Sequence, residues 1–126
     1  MSATAAEFPL FPANTSVPAG TTKGSPIVVA ANVVDNSAAY GGLLNWRITN
    51  GGALGAPCTI MFQTSGDGTN WFDYWPVTSS DLSSGTVTNG PSVPLHRAAI
   101  KVRAIAYGNT TNACTVEAYV DLKTGL

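Results

Sequence analysis

The sequence predicts an all-β protein: an antiparallel β-sandwich, jelly-roll or Ig-like, with an extended N-terminal arm. Three observations point there. Apolar residues recur with a period of two in short runs, the pattern of strands with one buried and one wet face. Clusters of Gly, Asn, Asp, Ser and Pro separate these runs at the spacing of a sandwich or barrel. No stretch carries the apolar stripe of an amphipathic helix of three or more turns. At 126 residues the chain makes one domain, because two halves would each be too small for a stable core. We divide it into an arm, residues 1–24, and a sandwich, residues 25–126.

The arm contains "EFPLFP" and "SVPAGTTKGSP". Its prolines remove backbone donors and favour extended conformations, which excludes a helix or a central strand. Phe8, Leu10 and Phe11 are too apolar for a disordered tail. They are expected to dock, on their own domain or on a neighbouring chain, and are the candidate partner-binding and oligomer-binding residues.

Strand character begins at "IVVAANVV" (27–34). In "GGLLNWRITN" (41–50), Leu44, Trp46 and Ile48 face one way and Asn45, Arg47 and Thr49 the other. "CTIMFQTS" (58–65) alternates in the same manner, with Cys58, Ile60 and Phe62 inward. "SGDGTNW" (65–71) is read as a corner, because Asp67-Gly68 between two strands is a hairpin signal and glycine supplies the positive φ of a tight turn. "WFDYWPV" (71–77) follows; period two places Trp71 and Trp75 on one face, with Phe72 and Tyr74 on the other. Residues 78–96 read as a long connection with a short strand near Val87 or Val93. "AIKVRAIAY" (99–107) and "CTVEAYVDL" (114–122) are the last two strands, joined by "GNTTNA". Paired as a hairpin, they would set Arg103 near Glu117 or Tyr119, and Lys101 near Tyr119 or Asp121.

Charged residues make up 10% of the chain and its net charge is −1, against roughly 25% charged residues in an ordinary soluble domain. Such a surface is easily desolvated against other protein. It lacks the basic footprint of a nucleic-acid binder, so no nucleic-acid partner is expected. No segment has the length of a membrane span, so no membrane partner is expected either. The opening residues do not read as a secretory signal. The expectation is therefore that the protein stays in the cell that makes it or leaves by a route that needs no signal, of which lysis releasing a virus particle assembled in the host cytoplasm is one.

The chemistry-bearing residues suggest no reaction. His96 is the single histidine, and "VPLHRAA" shows no nucleophile elbow beside it. Asp67, Asp73 and Asp81 show no spacing that selects a glycosidase pair. Asp67, Asn70 and Asp73 are too few oxygens for calcium. Two cysteines, Cys58 and Cys114, with one histidine fall short of a zinc set. Both cysteines point inward, as free thiols or as a disulfide linking two strands. We expect no catalytic, cofactor-binding or metal-binding residues, and no enzyme. The sequons at Asn14 and Asn109 are near chance in so Asn- and Thr-rich a chain. Trp71, Tyr74 and Trp75 are a candidate aromatic binding surface for a protein or a sugar, since ring faces suit both.

"CTIMFQTSGDGTNWFDYWPV", followed by a Ser/Thr/Gly-rich stretch and "AAIKVRAIAYGNTTNACTVEAYVDL", resembles small β-sandwich structural proteins of tailed bacteriophages. The resemblance covers residues 57–122. The same turn also occurs in carbohydrate-binding and discoidin-like sandwiches. The resemblance implies a non-enzymatic virion protein, a capsid decoration (cement) protein or a tail-associated component. Its partners would be capsid or other virion proteins and further copies of itself. It implies no catalytic residues. The alternative expectation is a carbohydrate-binding module on a tail or cell-surface apparatus.

Overall fold

The computed structural model describes residues 4–36, 41–90, 92–96 and 99–124. Among these described residues, nine strands form two antiparallel sheets packed face to face. They are β1 (Thr4–Val17), β2 (Val34–Asp35), β3 (Gly42–Asn50), β4 (Thr59–Ser65), β5 (Phe72–Thr78), β6 (Val87–Thr88), β7 (Val93–Leu95), β8 (Lys101–Tyr107) and β9 (Cys114–Thr124). The first sheet runs β1-β9-β3-β6, with β7 also on β3; the second runs β2-β8-β4-β5. Strands β6 and β7 occupy the same position beside β3, one after the other. Counted as one interrupted strand, they make two four-stranded sheets whose orders are those of a jelly roll, which settles the choice between jelly-roll and Ig-like winding.

Period two explains the core. Leu44 and Ile48 of β3, Ile60 and Phe62 of β4, Val102 and Ala104 of β8, and Val116 to Leu122 at alternate positions of β9 all meet between the sheets. Burial of such side chains contributes about 1.5–3 kcal/mol each for the larger ones.

The N-terminal region is extended and paired. Thr4–Val17 lies antiparallel to β9 from Thr4↔Thr124 to Val17↔Cys114. It is an edge strand, where prolines are tolerated because the missing donors face away from the ladder. Register shifts flank Phe11, and Asn14 takes φ +63°. These irregularities let Leu10 and Phe11, though adjacent, both turn into the core. The region therefore docks on its own domain. Two of the three residues expected to meet a partner, Leu10 and Phe11, are consumed internally, and Phe8 alone stays 40% exposed.

Two further expectations are corrected. The run 27–34 is not a continuous strand: Ile27 bridges Ala106, a 3-10 turn occupies Ala30–Asn32, and only Val34–Asp35 pairs with β8. The last two strands do not form a hairpin. β8 lies in the second sheet and β9 in the first, so residues 108–113 cross between layers. Asn109 holds that crossing: its buried Nδ2 donates to Val17 O (2.9 Å) and Asn112 O (2.8 Å). Asn36 and Asn50 pin other loops in the same way, Asn36 to Ala99 O (2.7 Å) and Asn50 to Asp81 O (2.8 Å).

Candidate functional site

The corner 65–71 is built from its own side chains. Gly68 takes φ +79°, a conformation that favours glycine. Ser65 Oγ accepts from Gly68 N at 2.8 Å and donates to Asp67 Oδ1 at 3.0 Å. Asp67 in turn accepts from the amides of Asn70 and Thr69 and from Asn70 Nδ2, each at 2.8 Å. These bonds, the Asn70 amide first, hold the Asp67 carboxyl well below the usual carboxylate range. Its oxygens are thus committed to the turn, as a corner requires.

Asp73 points elsewhere. On the outer face of the second sheet it accepts from Lys23 Nζ and from Gln63 Nε2 (3.0 Å). Gln63 Oε1 accepts from Arg103 Nε at 2.9 Å, and the Arg103 guanidinium carbon sits 4.5 Å from the centre of the Trp71 ring. Asp67, Asn70 and Asp73 therefore form no common ligand set. Asp81 is likewise a turn residue, accepting from Ser83 N at 2.7 Å.

The aromatic residues do not share a platform. Gln63 pairs with Asp73 but Phe62 pairs with Trp75, which makes Tyr74 the extra residue of a bulge. The bulge reverses the alternation expected along this strand. Trp71 lies half-buried with Arg103 on the outer face, whereas Trp75 sits on the Phe62 side and is 46% exposed. Tyr74 packs against the core and donates from its hydroxyl to Pro94 O at 2.6 Å. Beyond them, Phe72 (68% exposed) and Ile100 (44% exposed) line a shallow cleft with Thr64, Gly66 and Ala99.

The outer face of the first sheet carries a polar network that the sequence did not single out. Arg47 NH1 lies 3.3 Å from Glu117 Oε1, and the Tyr119 hydroxyl donates to Glu117 Oε2 at 3.3 Å. Asn45 Nδ2 donates to Asp121 Oδ2 at 2.7 Å, while Ser92 Oγ donates to Asn45 Oδ1. Glu7 faces Asp121 across the β1–β9 ladder, and a hydrogen bond with that carboxyl, reinforced by its like charge, pushes the Glu7 carboxyl up.

Cys58 and Cys114 are free and fully buried where the two sheets meet at one end of the sandwich. The loops preceding them are tied together by Gly51 N to Ala113 O (3.0 Å) and Asn112 Nδ2 to Ala53 O (2.7 Å). A hydrogen bond with Cys114, then burial, pushes the Cys58 thiol up. His96 sits on the surface, and its carbonyl accepts from Ala99 N at 3.0 Å. No group of three His, Cys, Asp or Glu side chains suited to a metal occurs among the described residues. No helix among them is long and apolar enough to cross a membrane. Comparison with known proteins finds no match among family models, curated proteins or solved structures.

Proposed function

We propose that this chain is a non-enzymatic virion structural protein, a decoration or cement protein that binds the outside of a bacteriophage head and holds neighbouring shell subunits together. The observation that carries the reading is the cleft where the apolar side chains of Phe72 and Ile100 stand exposed at the end of a weakly charged sandwich. Large exposed apolar side chains beside one another, with little charge to desolvate, are suited to another protein. Two considerations support it. The jelly roll is a winding much used by capsid domains, and residues 57–122 resemble phage structural sandwiches. Weak contacts through such a cleft become strong when repeated over a symmetric shell.

The experiment is cryo-electron microscopy of particles from the phage whose structural genes include this chain. Jelly-roll density in many symmetric copies on the head surface is expected, with the Phe72 end against the shell. Added back to stripped heads, Phe72→Asp should fail to bind while keeping its β-rich circular dichroism spectrum. Absence of the protein from purified particles, or density at the tail alone, would overturn the decoration reading.

A further inference from the structure

The strand position beside β3 is filled twice and interrupted between. Ile48 pairs with Thr88 and Leu44 with Val93, and among the described residues Asn45–Arg47 have no strand partner on that side. Asn50 exchanges backbone hydrogen bonds towards this side, its N–H to Thr86 O and its C=O from Gly85 N. Alternate residues of an antiparallel strand turn their backbone groups the same way, so Trp46 directs its N–H and C=O into the interruption. A pocket of about 240 Å³ opens there, lined by Asn45, Arg47, Asn89, Gly90, Glu117 and Tyr119 together with Trp46. Gly90 keeps it open while packing on Trp46: a Cβ at position 90 would lie 2.7 Å from Cζ2 of that ring. A second pocket of about 80 Å³ shares Arg47 and Glu117 as its wall and continues to Asn14 and Thr115.

We infer that this break in the sheet is a binding site for one ring of a neutral sugar. Arg47 and Glu117 neutralise each other, which disfavours a free anion or cation as ligand. Each keeps unused capacity beside the other: Arg47 has further N–H donors, and Glu117 has further lone pairs. A donor and an acceptor side by side match neighbouring hydroxyls of a sugar, each of which accepts one hydrogen bond and donates another. The Asn89 amide adds one of each, and the Tyr119 ring offers apolar surface. The volume suits one ring. This site is separate from the Phe72 cleft and from Trp71, Tyr74 and Trp75, and it does not rest on the virion reading.

The test is a two-dimensional amide NMR titration of the full chain with methyl glycosides of glucose, galactose, mannose, N-acetylglucosamine and rhamnose. At least one is expected to give saturable shifts at 45–47, 89–90 and 117–119. Asn89→Ala, on the exposed loop, and Glu117→Gln should each weaken that binding about tenfold, roughly 1.4 kcal/mol. The inference is overturned if none of the five moves these amides at tens of millimolar. It is equally overturned if the saturable shifts fall at 71–75 instead, or if Asn89→Ala binds as the parent does.

Discussion

The guanidinium of Arg103 lies over the ring of Trp71, with its carbon 4.5 Å from the ring centre, and joins the corner at 65–71 to the middle of the second sheet. A cation over an aromatic face is worth about 0.5–1 kcal/mol at a partly exposed site. A double-mutant cycle with Trp71→Ala and Arg103→Met should return a coupling energy of that size in urea denaturation. A coupling of zero would mean that the contact holds nothing.

Phe11 is fully enclosed although it sits in a proline-rich segment. Phe11→Ala should cost about 3–5 kcal/mol, the usual loss for a buried aromatic. Deleting residues 2–20 should unfold the domain, because Leu10, Phe11 and Val17 leave the core together. Retention of the β-rich circular dichroism spectrum after that deletion would contradict the cis docking of β1.

Asn109 is buried and donates to the carbonyls of Val17, at the end of β1, and of Asn112, within the crossing itself. Asn109→Ala leaves those carbonyls unpaired and should lower stability by about 1–3 kcal/mol. Chemical denaturation measures it, and a loss below experimental error would show that water replaces the amide.

Asp67 gives the corner its pH dependence. Its folded pKa is depressed, so its contribution is fully present above the unfolded value, about 3.9, and is lost as pH falls through the folded value. The Tm difference between parent and Asp67→Ala should be constant near neutrality and narrow progressively below pH of about 4. A difference unchanged into strong acid would point to lost packing rather than lost carboxylate bonds.

Both thiols are enclosed; their mutual hydrogen bond pushes the Cys58 thiol up and the Cys114 thiol down, so it is burial that keeps reagents from both. A chromogenic aromatic disulfide should leave the native protein unmodified over hours and titrate two thiols per chain after denaturation. Rapid reaction of native protein would show that this end of the sandwich opens.

Sequence periodicity located most strands within one or two residues, because one face of each is buried and the other wet. β3, β4, β8 and β9 follow that rule, and the Asp67-Gly68 turn announces the single pair of consecutive strands that hydrogen-bond, β4 and β5. Pairing between distant strands was not legible. A hairpin of the last two strands would set Arg103 near Glu117 or Tyr119, yet these lie in different sheets: Arg103 bonds Gln63, and Glu117 pairs with Arg47. Bulges were equally hidden, since a single inserted residue reverses the facing of all that follows; this is why Leu10 joined the core and Trp75 left the side of Trp71. The polar pocket at Arg47 and Glu117 requires a gap between two short strands, which no local pattern encodes.

The placement of β9 between β1 and β3 also governs how the molecule comes into being. On a ribosome, the first sheet has no centre until β9 has emerged, and its early segments wait with their apolar sides uncovered. Folding of this sheet is then late and slow, in keeping with contacts that join remote parts of the chain. Expression at reduced temperature, which gives the waiting segments less chance to associate, should raise the soluble yield.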